Sequence, residues 1–353
     1  MIEKIINREI SIGIEKMYIE LTQRCNLNCK HCYNSSGGNS KEDIPFENVK
    51  ELVMFCKKEG LISIALSGGE ALLHPEIDKI MDFINEQNIS IYLLTNGTIL
   101  DKDKVGLLLK YMPEIQISLD GPDEESNDAI RGHGAYKRTI EFIKLLKSMN
   151  YGNKININTV LNKYNINNYD EIIDVAKNLG VKYVSFSILT FAGRAADNDL
   201  EIDHKVSQTA INHINDELQF KRDIFCKGLQ VGHRCSMNFA RDNKIYVQPK
   251  ITAKGDVFPC QMHNDPIFNL GNIYDQPINN IISGEKTRNY LLLSQLRKKF
   301  ISSCINCRFD VFCEKGCLAK AYSDNKNIFS QDGSCRYYKK EFINALSQKE
   351  AAL

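Results

Sequence analysis

The sequence has no apolar run long enough to span a membrane and no excess of charge of either sign. Its most apolar stretch, residues 184–192, is much shorter than the about 18 residues that a spanning helix needs. The 45 Lys and Arg residues nearly balance the 44 Asp and Glu residues, so no general attraction to nucleic acid or to a membrane surface is predicted. The N-terminal segment also lacks the apolar core of a secretory signal peptide. We therefore expect a cytoplasmic protein.

Cysteine is absent from residues 57–225, although the sequence contains 12 cysteines. Three lie at positions 25, 29 and 32, one lies at position 56, and the other eight lie in residues 226–335. Because thiols stay reduced in the cytoplasm, cysteines grouped in this way are more typical of metal ligands than of disulfides. The cysteine-free middle is expected to fold around an ordinary apolar core.

Short apolar segments alternate with amphipathic segments in the first half of the chain. The predicted strands are residues 17–21, 62–66, 89–94, 115–119, 155–161 and 181–188. The predicted helices are residues 49–58, 75–87, 102–110, 136–149 and 169–179. This alternation predicts a parallel α/β fold. A complete eight-unit barrel takes about 250 residues, so a partial (β/α)6 TIM-like barrel or an open sheet fits better, with reactive residues at the carboxyl ends of the strands.

The pattern changes after about residue 195, where polar helical sequence gives way to turns, short strands and most of the cysteines. The predicted divisions are an N-terminal extension (1–16), a barrel (17–195), a helical linker (196–225), a cysteine-rich domain (226–337) and a C-terminal helix or tail (338–353).

A loop with the sequence CNLNCKHC follows the first predicted strand and carries Cys25, Cys29 and Cys32. A structural zinc site takes four ligands, commonly from paired CxxC units. Three thiolates on one loop instead suit an iron–sulfur cluster that has one iron free of protein thiolate. Zinc with His31 as the fourth ligand is the alternative.

This CxxxCxxC loop resembles the signature of the radical S-adenosylmethionine (SAM) enzymes. The resemblance implies a [4Fe–4S] cluster on the three cysteines, with its fourth iron chelating the amino and carboxylate groups of SAM. Three later turns are also similar to those of the family, and each follows a predicted strand: SGGE at 67–70, TNG at 95–97 and SLDG at 118–121.

The same resemblance implies which residues contact SAM. Gly68 and Gly69 would let the backbone approach the methionine part closely, and Glu70 would offer its carboxylate to the ammonium group. A simple turn before the next helix is the alternative for this segment.

Three further SAM contacts are implied by the resemblance. Ser118 would contact the ribose, Arg131 would grip the SAM carboxylate with its forked guanidinium, and Leu189 would pack on the adenine. The alternatives are a solvated loop cation for Arg131 and a core residue for Leu189.

The C-terminal cysteines resemble the SPASM domain, an extension found in some radical SAM enzymes. The pattern comprises Cys235, Cys260 in GDVFPC, the run Cys304, Cys307, Cys313 and Cys317, and finally Cys335. The resemblance implies two auxiliary [4Fe–4S] clusters, and so three in all. Cys235, Cys260 and Cys317 would bind the first, whereas Cys304, Cys307, Cys313 and Cys335 would bind the second.

Two cysteines lie outside that pattern. Cys226 is a candidate fourth ligand of the first auxiliary cluster, and without it one iron there stays open. Cys56 shares an apolar helix face with Val53 and is predicted to be a core residue. Two structural zinc sites in a non-enzymatic interaction module are the alternative for the cysteine-rich domain.

The resemblance implies reductive cleavage of SAM to a 5′-deoxyadenosyl radical that removes a substrate hydrogen. The leading hypothesis is maturation of a ribosomally made precursor peptide by a thioether or carbon–carbon cross-link. The alternatives are sulfatase-maturase-like oxidation of a Ser or Cys side chain and tailoring of a small cofactor such as a modified tetrapyrrole. A reductant such as flavodoxin or ferredoxin is implied. Because only about 16 residues precede the first strand, a separate leader-binding protein or the catalytic domain itself is expected to bind a leader.

Residues that would contact the substrate are weakly indicated. Tyr33, His133, Tyr183 and Arg194 lie near predicted strand ends. Where the sulfatase maturases have an aspartate after the second SPASM cysteine, this chain has Gln261, an amide that cannot act as a base. That departure weakens the sulfatase-maturase reading.

Overall fold

The computed structural model describes most of the chain. The described residues are 1–190, 192–202, 209–210, 213–214, 237, 240–309, 313, 315–333, 335, 339 and 342–343, with residues 225–229 described for their backbone alone.

The N-terminal half forms the predicted partial barrel of parallel strands. A short helix α1 (Ile2–Ile6) and strand β1 (Ser11–Ile14) precede it. The barrel strands are β2 (Lys16–Glu20), β3 (Ser63–Ser67), β4 (Ser90–Thr95), β5 (Glu114–Ser118), β6 (Ile155–Leu161) and β7 (Tyr183–Ile188). Each is hydrogen-bonded in parallel to the next in chain order.

The helices cover the outer face of these strands. They are α2 (Phe46–Lys58), α3 (Ile77–Glu86), α4 (Lys102–Tyr111), α5 (Glu124–Arg131), α6 (Ala135–Ser148), α7 (Tyr169–Asn178) and the short α8 (Arg194–Asp197). Helix α5 is absent from the sequence prediction. Helix α3 begins at Ile77, so Pro75 lies before the helix rather than in its first turn.

The strands alternate between an apolar outer face and a polar inner face. In β5, Ile115 and Ile117 are fully buried, whereas Gln116 and Ser118 alternate with them and are only partly buried. Burying a side chain such as Ile contributes about 1.5–3 kcal/mol, so the outer face accounts for much of the stability. The inner face is left free for polar groups.

A further strand, β8 (Phe225–Leu229), pairs in parallel with β7. These residues lie at the predicted junction of the helical linker and the cysteine-rich domain, whereas the structure adds their backbone to the barrel sheet. The predicted linker otherwise lies largely outside the described residues.

The C-terminal unit continues the same sheet on its other side. Its strands are β9 (Ala240–Arg241), β10 (Lys244–Val247), β11 (Lys250–Ile251), β12 (Asp256–Phe258) and β13 (Gly271–Asn272). Its helices are α9 (Ile278–Ile282), α10 (Glu285–Phe300) and α11 (Leu318–Asn325). The larger sheet runs β13-β12-β11-β2-β3-β4-β5-β6-β7-β8, and β1, β10 and β9 form a smaller one.

Two further features of the fold bear on the predictions for Cys56 and for membrane-spanning segments. Cys56 is fully buried, with its Sγ 3.7 Å from Met17 Sδ, as expected for a core residue. In the part of the chain that the structure describes, no helix has the length and apolarity needed to cross a bilayer.

Candidate functional site

The cysteine loop, residues 24–37, begins after β2 at the carboxyl end of the barrel. Cys29 is buried, and Cys25 and Cys32 are partly buried around the same apolar cluster, which contains Leu27 and Ala135. The structure therefore brings the three predicted thiols together at the end of the barrel where parallel α/β folds place their reactive groups.

The SGGE turn after β3 packs directly against this loop. The backbone N–H of Gly69 donates to Thr22 O at 2.7 Å, and that of Glu70 donates to Arg24 O at 2.8 Å. A Cβ atom on Gly68 would lie 2.4 Å from Thr22 O, and one on Gly69 would lie 2.3 Å from Arg24 O. In the structure, the space that these glycines leave is thus filled by the stem of the cysteine loop.

Glu70 is fully buried and joins two of the family-like turns. Its carboxylate accepts hydrogen bonds from Thr95 Oγ1 at 2.9 Å and from the backbone N–H groups of Asn96 and Leu72 at 2.8 and 3.2 Å. Burial raises the pKa of Glu70 to about 7, although these hydrogen bonds oppose that shift. Both carboxylate oxygens are already used inside the protein, so its contact with an ammonium group remains a prediction.

The TNG turn after β4 also reaches the cysteine loop. Asn96 Nδ2 donates to Asn26 Oδ1 at 2.9 Å and lies 3.9 Å from Cys25 Sγ. Asn26 in turn donates to Thr98 Oγ1 at 2.8 Å. An amide side chain so close to a thiolate sulfur is the kind of outer contact that tunes an iron–sulfur centre.

Arg131 is buried in an ion pair and is not a solvated loop cation. It ends α5, and its Nε lies 2.7 Å from Asp120 Oδ2, which also lies 2.9 Å from His31 Nε2. Burial alone would raise the pKa of Asp120, but Arg131 and His31 lower it to about 2. Asp120 was not among the predicted site residues, although its place in SLDG after a strand was the available signal.

The other two predicted SAM contacts, Ser118 and Leu189, lie in the barrel sheet and in an apolar cluster, respectively. Ser118 is the last residue of β5 and lies beside Asn158 in the sheet register. Leu189 is 8% exposed and packs with Ile130, Ala195 and Leu200. This packing supports the core reading of Leu189.

Three of the four predicted substrate-side residues lie outside the mouth of the barrel. Arg194 donates from Nε to Cys29 O and from Nη1 to Ser36 O, each at 2.9 Å, so it holds the cysteine loop. Tyr183 is the first residue of β7, at the end of the strand remote from that loop. His133 is exposed on the turn between α5 and α6. Only Tyr33 lies inside the mouth of the barrel.

Tyr33 belongs to a buried polar group that was not predicted from the sequence. Its hydroxyl donates to Glu20 Oε1 at 3.1 Å, and Lys250 Nζ lies 3.9 Å from the same oxygen. Glu20 is fully buried, and its Oε2 has no hydrogen-bond partner within the described part of the chain. The signal available in the sequence was a carboxylate at the end of the first strand.

A polar cavity of about 1010 Å³ is lined by residues at the amino ends of the barrel strands and reaches Tyr18, whose hydroxyl oxygen lies 3.1 Å from that of Tyr33. Among its lining residues are Tyr18, Tyr92, Gln116, Asn158, Ser187 and Gln261. Tyr92 Oη donates to Gln116 Oε1 at 3.0 Å, and Ser187 Oγ donates to Asn158 Oδ1 at 2.9 Å. The lining charges Lys16, Glu114 and Lys154 lie at the strands' amino ends or just before them.

The structure also groups the C-terminal cysteines. Cys304, Cys307, Cys313 and Cys335 line a common cavity, as the predicted ligands of the second auxiliary cluster should. Cys260 follows β12, and Cys317 immediately precedes α11. Cys235 and the side chain of Cys226 lie outside the described residues, so their predicted roles stay predictions.

The chemistry of these thiols fits bound iron. Burial raises the pKa of Cys25 to about 12 and that of Cys313 to about 11. Such thiols stay protonated at neutral pH on their own, whereas a bound metal cation deprotonates them. The four thiols around one cavity match the ligand count of a [4Fe–4S] cluster.

Comparison with known proteins agrees with this arrangement. The profile described as the Radical SAM superfamily matches residues 19–176, and the profile of the SPASM iron–sulfur cluster-binding domain matches residues 244–308. The chain is 26% identical over 339 residues to the antilisterial bacteriocin subtilosin biosynthesis protein AlbA of Bacillus subtilis, a match that covers 93% of this chain and 72% of AlbA. It is 27% identical over 346 residues to the AdoMet-dependent heme synthase of Methanosarcina barkeri, covering 90% of this chain and 95% of that protein.

A solved structure gives the same fold. Native anSMEcpe with bound AdoMet and the Cp18Cys peptide superposes with a TM-score of 0.72 at 20% identity, covering 95% of this chain and 97% of that one. At this identity the likeness establishes the fold.

Proposed function

On the premise that the chain belongs to the radical SAM enzymes with a SPASM iron–sulfur domain, we propose that it oxidatively modifies a ribosomally synthesised peptide. The product would carry a thioether or a carbon–carbon cross-link. When bound, the iron–sulfur cluster and SAM would supply a 5′-deoxyadenosyl radical that takes one substrate hydrogen, and an auxiliary cluster would accept the second electron as a proton is released. The chain itself binds, orients and shields the reacting groups.

The three thiols of the cysteine loop would hold the SAM-binding cluster. Arg194 keeps the loop in place through its carbonyl groups, and Asn96 supplies a polar contact to Cys25. Gly68, Gly69, Glu70, Ser118 and Arg131 remain the proposed SAM contacts, whereas the packing of Leu189 favours a core role. For Glu70 and Arg131, the buried hydrogen bonds and ion pair support a positioning role as well.

Two auxiliary clusters, and therefore three clusters in all, belong to the same proposal. The cavity shared by Cys304, Cys307, Cys313 and Cys335 supports the second auxiliary site. The first auxiliary site would use Cys235, Cys260 and Cys317, with Cys226 as its candidate fourth ligand.

The polar cavity is the observation that carries the choice of a peptide. The lining side chains within the barrel strands include the hydroxyl and amide groups of Tyr18, Tyr92, Gln116, Asn158 and Ser187, which suit the backbone and side chains of a peptide. Glu20 and Lys250 offset each other's charge at the mouth, so a substrate with several carboxylates gains no net attraction there. A relative named for bacteriocin biosynthesis points the same way.

Two other reactions are less well supported. Gln261 lines the cavity where a sulfatase-maturase-like oxidation would use an aspartate base, and an amide cannot accept the proton. Tailoring of a tetrapyrrole is favoured by the similarity to a heme synthase, and it is therefore the second candidate.

The test is anaerobic incubation of the reconstituted protein with SAM, a reductant and either a peptide encoded beside the gene or an iron coproporphyrin. Mass spectrometry should find the peptide lighter by two hydrogen atoms, and 5′-deoxyadenosine should form in step with it. Conversion of the porphyrin with an unchanged peptide would establish the second candidate instead. Flavodoxin or ferredoxin as the reductant, and a separate leader-binding protein, can be added to the same assay.

A further inference from the structure

Arg297 is a buried cation of the C-terminal unit. It lies in α10, is 2% exposed, and donates to carbonyl oxygens on two different segments. Nη1 donates to Lys315 O at 2.7 Å, Nη2 donates to Ser330 O at 2.8 Å, and Nε donates to Ile328 O. The guanidinium therefore ties the segment before Cys317 to the segment before Cys335.

Asp332 is a buried anion in the same place. It is 2% exposed, and its Oδ2 accepts the backbone N–H of Cys317 at 2.7 Å. Its backbone carbonyl accepts the N–H of Cys335 at 3.1 Å. One residue thus contacts the backbone of a proposed ligand of each auxiliary cluster.

Glycine at position 316 allows this close approach. A Cβ atom there would lie 2.5 Å from Asp332 Oδ2, and the backbone φ of +73° is one that side chains rarely adopt. Asp332 can therefore reach the N–H of Cys317 only because position 316 has no side chain.

Both charges act on the thiols around them. Burial lowers the pKa of Arg297, whereas the charges of Asp332, Cys317 and Cys304 oppose that shift. Asp332 in turn helps to raise the pKa of Cys317 and of Cys335, both of which are raised first by burial. Buried charges are costly unless they are compensated, and the hydrogen bonds described above supply that compensation for both groups.

We propose that Arg297 and Asp332 are positioning residues that fix Cys317 relative to Cys335. Arg297 raises the reduction potentials of the auxiliary clusters, and Asp332 lowers them. The inference rests on the proposed cluster ligands. Reduction adds an electron to a cluster, so a nearby cation stabilises the reduced form and raises the potential, whereas a nearby anion lowers it. Together, the opposite charges of Arg297 and Asp332 would hold the reduction potentials of the auxiliary clusters within a working range.

The test is a redox titration of the anaerobically reconstituted full chain, followed by electron paramagnetic resonance and visible absorption. Arg297→Gln should lower the midpoint potential of at least one auxiliary cluster, Asp332→Asn should raise it, and the double variant should return towards the wild type. Lys299→Gln, on the exposed end of the same helix, is the matched control and should leave the potentials unchanged. Shifts of the same sign, or no shift with iron retained, would overturn the inference.

Loss of iron in Arg297→Gln is addressed by Arg297→Lys, which keeps the charge but not the forked geometry. Wild-type potentials in an iron-retaining Arg297→Lys, together with a raised potential in Asp332→Asn, support the charge effect. If both Arg297 variants lose iron and Asp332→Asn leaves the midpoint potentials unchanged, the proposed charge effect is overturned. A wild-type protein without auxiliary clusters would overturn both this inference and the proposed ligands. Failure of peptide modification alone would leave the potentials measurable.

Discussion

Arg194 donates a hydrogen bond from Nε to the carbonyl oxygen of Cys29 at 2.9 Å, although 165 residues separate the two in sequence. A second bond reaches Ser36 O, and the backbone N–H of Arg194 donates to Cys32 O at 3.0 Å. The segment after β7 therefore closes over the cysteine loop. This contact joins the last strand of the predicted barrel to the site that follows the first.

Replacement of Arg194 should loosen the cysteine loop. Hydrogen bonds to charged groups contribute about 1.5–3 kcal/mol each when well formed, and partial exposure of Arg194 reduces that value. We expect Arg194→Ala to lower the thermal midpoint and to lose iron from the loop faster on dialysis. Lys137→Ala, an exposed cation on α6, is the control. Equal iron retention in both variants would contradict this role.

Gly69→Ala and Gly106→Ala should change the stability of the protein in opposite directions. A methyl group at position 69 would meet Arg24 O at 2.3 Å and Cys25 Cβ at 2.9 Å, whereas nothing lies within 4 Å at position 106. Gly106 lies inside α4, so alanine there should stabilise the protein by up to about 1 kcal/mol. Gly69→Ala should be destabilised and lose iron, as measured by denaturant unfolding and iron analysis. A stable, iron-replete Gly69→Ala protein would be inconsistent with the packing described.

Asp120→Asn should destabilise the protein strongly. The substitution leaves the buried Arg131 guanidinium without its carboxylate partner, and breaking a buried pair in this way costs about 3–5 kcal/mol. Glu125→Gln, an exposed acidic residue on α5, should change stability little. Thermal unfolding of the two variants makes the comparison, and similar midpoints would argue against the importance of the pair.

The Glu70 carboxyl should make stability depend on pH in a defined direction. Its pKa is raised from 4.5 to about 7 mainly by burial, so the folded state binds its proton more tightly than the unfolded chain does. The resulting stabilisation is present below about pH 4.5 and is lost as the pH rises to about 7, with an upper limit of about 3 kcal/mol. The difference in unfolding free energy between wild type and Glu70→Gln should shrink over that interval. A constant difference would contradict the prediction.

The strands and outer helices could be predicted because their apolar spacing is regular. Strand β6 occupies the predicted residues 155–161, and Ile115 and Ile117 face the helices as alternation requires. Helix α5 was missed because it buries little apolar surface. Only Asn127, Ile130 and Arg131 are buried in it, so its sequence resembles that of a loop.

The family resemblance grouped the cysteines, and the structure brings the three loop thiols together and places Cys304, Cys307, Cys313 and Cys335 around one cavity. The surroundings of these thiols could not be predicted. Nothing in the sequence near Arg194 indicates that it reaches the carbonyl groups of the cysteine loop. Glu20 and Lys250 come together only because β11 pairs with β2. Contacts of this kind depend on the tertiary fold, so local sequence patterns do not predict them.

The pairing of β11 with β2 has a consequence for truncated forms of the protein. Lys250 and Ile251 are the sheet partners of Tyr18 and Ile19, so the C-terminal unit protects one side of the strand that leads into the cysteine loop. A barrel expressed without that unit would expose the backbone hydrogen-bonding groups of β2 along an open sheet edge. Such an edge readily recruits strands from other molecules, and we expect the isolated barrel to aggregate.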